Sequence, residues 1–286
     1  MPSVVTNLPE ALHLHGIVVP GTHAQDLFIV DGKFTFQPQA HYRTILRDGY
    51  FIPGLVDTHA HLAIASPAPQ SATPEQRVRA SAQAHLDAGV LAVREPGSPN
   101  YASHGIGPHE GLPHIVTAGR FLAPPGRYFP GLAHEVTDTQ MPAAAEAEAR
   151  ASGAWAKIIG DWIGGDGRMH TNYRRETMAE AARRVHALGA RIAVHATTAE
   201  TIESAIEAGF DSIEHGLGLA DDHIAAMLAN DRSAPPMHRA MHRSRTSRPL
   251  RRTACSPPGP HRRAAPGCVF LQQARASRPW LRAFRG

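Results

Sequence analysis

One junction recurs four times along this chain: an Ala-rich helical window that ends at glycine and runs directly into a short apolar strand. HLDAGVLAVRE turns at Gly89, RASGAWAKIIG at Gly153, HALGARIAVHA at Gly189 and IEAGFDSIEHG at Gly209. Glycine suits each helix C-terminus because it enters the left-handed backbone region without a Cβ clash. Repetition of a helix–strand unit specifies a parallel sheet covered by helices, since parallel strands need long crossovers between them. The helical windows carry the matching period. Met178, Ala181, Ala182, Val185 and Leu188 fall on one stripe, and the following helix, with Thr197 or Thr198 as N-cap, would bury Ile202, Ala205 and Ile206.

Counting from Leu55, the pattern predicts six strands, at 55–59, 90–95, 114–118, 155–159, 191–195 and 210–215. A closed (β/α)8 barrel has eight strands in about 250 residues. The expected fold class is therefore α/β, a TIM-type barrel that is incomplete at about six βα units. Residues 11–56 have a different texture, with short apolar runs separated by turn signals and a tight hairpin at Asp31-Gly32. They read as a small β unit. The expected domains are 1–54, 55–230 and a tail over 231–286.

Composition sets that tail apart. Of 286 residues, the last 56 hold 13 arginines, no lysine, eight prolines and a single acid, Asp231, a net charge of +12. The first 230 hold 16 basic and 24 acidic residues, net −8, so the overall +4 averages two opposite segments. No helical or strand period is sustained beyond Asn230. Cys255 and Cys268 match no CxxC pair or zinc knuckle. The N-terminus lacks a basic segment followed by an apolar one, and no run reaches the roughly 18 apolar residues of a membrane helix. The default expectation is a cytoplasmic protein without a membrane partner.

In a βα barrel, chemistry collects where strands end. Strand one places His59 and His61 two residues apart, so both project to one side of an extended strand and can grip one metal ion. Among 19 histidines such a pair also arises by chance. Lys157, one of two lysines in the chain, lies in the apolar strand AWAKII. It would have to be paired, deprotonated or modified, unless its stem packs and its amine reaches solvent. His195 and His215 close strands five and six. Each alone would be read as a hydrogen-bonded core histidine; with His59, His61 and Lys157 they converge on one face as a metal site. Arg94 and Glu95 close strand two, where a structural ion pair is the competing reading. Tyr128 and His134 lie in a Gly/Pro-rich loop as substrate wall or plain surface, and Asp57 is a supporting or purely structural residue.

These stretches, FIPGLVDTHAHL, GVLAVREPG, WAKIIG, ALGARIAVHATTAETIESAIEAG and FDSIEHG, resemble in order the amidohydrolase superfamily, in the branch of imidazolonepropionases and Xaa-Pro dipeptidases. The resemblance covers residues of about 50–228. It implies that His59 and His61 bind one metal, that His195 and His215 bind a second, and that Lys157, N6-carboxylated, bridges them. One ion or two would serve, zinc suiting imidazole and carbamate ligands well. It implies hydrolysis of a C–N bond in a small-molecule amide or cyclic amide by metal-bound hydroxide, since the metal lowers the pKa of water to about 7. It also makes residues 1–54 part of a small β-sandwich domain, and leaves homo-oligomer formation open.

The chain departs from that pattern at one place. The family's aspartate on strand eight, which binds metal and shuttles a proton, has no counterpart here, so no catalytic acid–base residue is assigned. Residues from about 231 are expected to be disordered or read in a shifted frame. The alternatives are a catalytically impaired pseudoenzyme, or nucleic-acid binding through the basic tail, which lacks the aromatic interleaving of single-strand binders.

Overall fold

The computed structural model describes residues 11–230 and 268–271, and the chain divides into two compact units. Among the described residues, the first comprises 11–55 with 268–271, and the second 56–230. Apart from Cys268–Leu271, the tail expected to be disordered or frameshifted lies outside the described residues.

The described part of the first unit is one mixed sheet. Strand β1 (Ala11–Val18) pairs antiparallel with β2 (Ala24–Val30), which pairs with β3 (Lys33–Thr35). On its other edge β1 pairs parallel with β4 (Tyr42–Leu46) and β5 (Tyr50–Pro53). The segment Cys268–Leu271 adds a further parallel strand beside β5. The β2–β3 turn is the expected hairpin: Asp31 and Gly32 take φ of 50° and 70°, both positive as a type I′ turn requires. Leu14, Leu27 and Phe51 form the core of this sheet, with Val18, Ile29, Phe34 and Leu46 against them.

The second unit is a succession of βα units. It runs β6 (Leu55–Asp57), α1 (Pro74–Asp87), β7 (Val90–Glu95), β8 (His114–Thr117), β9 (Phe121–Ala123), β10 (Ala133–Glu135), α2 (Met141–Ser152) and β11 (Trp155–Ile159). There follow β12 (Asp161–Ile163), β13 (Met169–Thr171), α3 (Arg175–His186), β14 (Arg191–Ala196), α4 (Ala199–Glu207), β15 (Ser212–His215) and α5 (Asp221–Asn230). The four junction glycines all have positive φ, between 71° and 84°, as the helix-stop argument required. Helix α1 starts at a capping box between Thr73 and Gln76, and α4 at Thr198, whose hydroxyl accepts the Thr201 amide.

The sheet order is β6-β7-β8 in one ladder and β10-β9-β11-β14-β15 in another, with β12-β13 a separate hairpin. The two ladders are joined through residues 114–123. Strand three, expected to end at 118, continues as β9 after a kink at Gly119, and Phe121 N still donates to Ser98 O at 3.2 Å. The βα succession therefore forms an arc of six strand positions. Among the described residues there is no closed barrel.

The largest core lies between α2, α3, α4 and one face of β11 and β14. Ala156, Ile158, Ile192 and Val194 meet Met178, Ala181, Val185, Ile202 and Ala205, all at most 1% exposed. Each such Ile, Val or Met side chain contributes roughly 1.5–3 kcal/mol by leaving water. Strand alternation then sends Trp155, Lys157 and Ile159 to the other face, where the expected site residues gather.

Candidate metal centre

His59 and His61 sit just beyond β6 and not on it. The strand was expected to reach residue 59 but stops at Asp57, because side chains take the backbone groups that follow. Asp57 Oδ1 accepts the His59 amide at 3.0 Å, and Arg94 Nε donates to Thr58 O at 2.8 Å. Glu95 Oε1 then accepts the Leu62 amide at 3.0 Å. The histidines converge nonetheless: their Nε2 atoms are 3.2 Å apart. His61 Nδ1 faces Gly97 O at 2.9 Å, and His59 Nδ1 faces the Glu214 carboxylate. With Nδ1 of each ring committed to an acceptor, each Nε2 carries its lone pair, and two lone pairs at this distance call for a cation or proton between them. Two imidazoles on a tetrahedral zinc, at about 2.0–2.1 Å each, would stand roughly 3.3 Å apart.

His195 on β14 and His215 at the end of β15 extend the cluster. Ring centroids are 5.0 Å apart for His59–His61 and for His59–His215, and 4.8 Å for His195–His215. His215 holds φ at 68°, in the left-handed region that non-glycine residues seldom adopt, though histidine enters it more readily than most. Lys157 is in the middle of β11 rather than at its end. It is 2% exposed, and its Nζ has no hydrogen-bond partner. His195 Nε2 is likewise buried and unpartnered, its nearest carboxylate being Asp161 at 3.7 Å.

Burial shapes the protonation of these groups. Desolvation takes Lys157 from 10.5 down to about 7, against the pull of Glu214 and with the push of Arg94. Desolvation first, then neighbouring positive charge, lowers His61 and His195 to about 4, and lowers His215 as well. Imidazoles held neutral at pH 7 are in the form that ligates metals. Burial works to raise Glu214, but the His59 hydrogen bond and the charges of Lys157 and Arg94 outweigh it and hold the carboxylate well below its usual range.

All five expected ligands thus lie in one neighbourhood. Among the described residues, however, no three His, Cys, Asp or Glu side chains converge on a single point as they stand. The His59/His61 pair is the part already set in ligand geometry.

Sequence reading missed the residues that hold this pair. Arg94 does not pair with Glu95. It pairs with Glu214, Nη2 to Oε1 at 2.6 Å, in a site where both are under 5% exposed. Glu95 instead takes the Leu62 and Ala63 amides and the Ser103 hydroxyl. Asp161, fully buried, accepts the amides of Thr197 and Thr198, both at 2.8 Å, and both hydroxyls, fixing the start of α4 behind His195. An acid on an apolar strand next to His215 was the available signal for Glu214. His134 lies on β10, 3.6 Å from Glu148, and Tyr128 packs against Phe121 and Trp162.

The chain's fold is similar to that of several solved hydrolases. Solved structures similar to it include an Xaa-Pro dipeptidase with bound methionine, with a TM-score of 0.61 and 20% identity over 78% of this chain and 65% of that one. An amidohydrolase matches with a TM-score of 0.63 and 19% identity over 77% and 64%. Ochratoxinase of A. niger matches with 0.60 and 14% over 78% and 64%. At these identities the likeness is one of fold.

In sequence, the chain is 37% identical over 227 residues to uncharacterized proteins of Mycobacterium bovis and Mycobacterium tuberculosis. The match covers 79% of this chain and 60% of those relatives' length. No family model matches. No helix among the described residues is long and apolar enough to cross a membrane.

Proposed function

We propose that this chain is a metal-dependent hydrolase of a C–N bond, acting on a small-molecule amide or cyclic amide. One observation carries the reading: His59 and His61 present their Nε2 atoms 3.2 Å apart, with each Nδ1 already engaged by an acceptor. That arrangement orients ligands and raises their basicity. The unpartnered Lys157 amine and His195 Nε2 supply further donors in the same buried place. The fold shared with an Xaa-Pro dipeptidase and other amidohydrolases supports the same chemistry. The six-position arc is then part of a (β/α)8 barrel, and the first unit part of a small β-sandwich.

In this proposal His59 and His61 would hold one divalent ion such as zinc, and His195 and His215 would hold a second where two are bound. Lys157 would be a further ligand once its neutral amine adds to carbon dioxide, the N–C bond forming as a C=O π bond opens and the nitrogen loses a proton. A carbamate converts a buried cation into an anion suited to lie between cations. The metal supplies Lewis-acid polarisation of a carbonyl and acidifies water. Glu214 orients His59, Gly97 O orients His61, and Arg94 holds Glu214. No acid–base residue is assigned, because the sequence has no counterpart of the strand-eight aspartate that the resemblance implies.

The sequence also favours a second reading. From Arg232 to Gly286 there is no acid at all, so a metal-binding chain with impaired turnover is the competing outcome. The test is hydrolysis of a panel of N-acyl amino acids, dipeptides and cyclic amides by the full chain, zinc-loaded and chelator-stripped. Turnover that needs zinc and vanishes in His61→Ala supports the hydrolase. Zinc uptake without turnover supports the impaired form, and turnover indifferent to stripping refutes metal dependence.

A further inference from the structure

A row of aromatic rings runs alongside the histidine cluster. Phe121 packs on His61 with centroids 5.2 Å apart, Tyr128 on Phe121 at 5.3 Å, and Trp162 on Tyr128 at 4.8 Å, while Trp162 lies 5.8 Å from His195. The two ends of the row thus touch two different expected metal ligands. Phe129 closes the row from outside, at 5.2 Å from Tyr128 and 4.8 Å from Trp162.

Phe121 belongs to a buried core cluster against which Tyr128 and Trp162 pack, so core packing accounts for the inner rings and not for Phe129. Phe129 is 56% exposed, although a phenyl ring gains by leaving water. Tyr128 and Phe129 also line a solvent-open cavity of about 470 Å3 with Arg120, Pro124, Ala133 and His134, while Trp162 and the clustered histidines lie outside its lining. Ligand pockets fall in that size range and combine apolar walls with a few polar groups.

The rings are also held in place. Arg127, beside Tyr128, donates to Asn172 Oδ1 at 2.9 Å and to the carbonyls of Trp162 and His170 at 3.0 and 2.9 Å. Asn172 Nδ2 in turn donates to Ile159 O at 2.9 Å. One guanidinium therefore ties the loop bearing Tyr128 and Phe129 to the β12–β13 hairpin bearing Trp162. Pre-organised aromatic surface loses little entropy when a ligand ring stacks on it.

We propose that Tyr128, Phe129 and Trp162 form a subsite for an aromatic group of the substrate, adjoining the scissile amide at the histidine cluster. The subsite rests on the functional reading above and narrows it to amides that carry a phenyl or similar planar apolar group.

The test measures binding alone, so that it stands apart from turnover. The chelator-stripped full chain is titrated by calorimetry with N-acetyl-phenylalaninamide and with N-acetyl-alaninamide. The phenyl probe is expected to bind about tenfold tighter. Phe129→Ala, at an exposed position that should leave the fold intact, and Trp162→Leu should each reduce that preference severalfold without changing affinity for the alanine probe. Equal binding of the two probes, or a preference that survives both substitutions, overturns the subsite. A retained preference in a chain that never hydrolyses either amide would keep the subsite and reject the hydrolase.

Discussion

Glu214→Gln removes one negative charge from the centre of the site and leaves the shape unchanged. Arg94 and Glu214 are 3% and 4% exposed and share a 2.6 Å hydrogen bond. Arg94 is also fixed by Thr58 O and lies 4.7 Å over the Trp155 ring, so it has no route to solvent when its partner is neutralised. Breaking a buried pair from one side costs about 3–5 kcal/mol, because the remaining charge stays desolvated. At about 2–4 °C per kcal/mol, the melting temperature should fall by about 6–20 °C. The sign with pH is determined. A carboxylate whose folded pKa is depressed stabilises the protein above its unfolded pKa and loses that contribution as pH falls through the folded value. The gap between wild type and Glu214→Gln should therefore close in acid. Scanning fluorimetry across pH reads this directly, and the double variant Arg94→Met/Glu214→Leu should be less damaged than Glu214→Gln alone. A Glu214→Gln protein within about 0.5 kcal/mol of wild type at neutral pH would refute the buried-pair account.

Lys157→Met should stabilise the metal-free protein at pH 7. Its amine falls from 10.5 to about 7 on burial, so the unfolded chain binds the extra proton and wild-type stability rises with pH across that interval. The advantage of Lys157→Met should shrink toward pH 10 in denaturant titrations, while its zinc uptake falls. Asp161→Ala removes four hydrogen bonds from the start of α4 and should cost about 3 kcal/mol, with amide exchange accelerating first at Thr197–Thr201. Gly97→Ala should weaken zinc binding about tenfold or more by calorimetry. Gly97 holds φ at 104°, a Cβ there would lie 2.5 Å from the Phe121 ring, and its carbonyl is the acceptor that orients His61.

Local rules made the helices and most strands legible. Gly89, Gly153, Gly189 and Gly209 stop helices for a reason that depends on a few residues, and the α3 and α4 stripes depend on one helix each. The residues that gather at the candidate site, His59, His61, Lys157, His195 and His215, could be picked out by strand position. What escaped was set by contacts between distant residues. Arg94 and Glu95 are adjacent, but pleating sends them to opposite faces, one to Glu214 and the other to Leu62 and Ser103. The early end of β6 likewise follows from Asp57, Arg94 and Glu95 taking the amides and carbonyl of residues 58–62, which no strand propensity encodes.

Zinc titration of the metal-free full chain, followed by X-ray absorption at the zinc edge, tests the central claim most directly. A metal site at His59 and His61 predicts saturable uptake of one or two ions per chain, with imidazole nitrogen at about 2.0–2.1 Å, and its loss in His59→Ala/His61→Ala. Absence of saturable uptake, or uptake undiminished in that double variant, would contradict it.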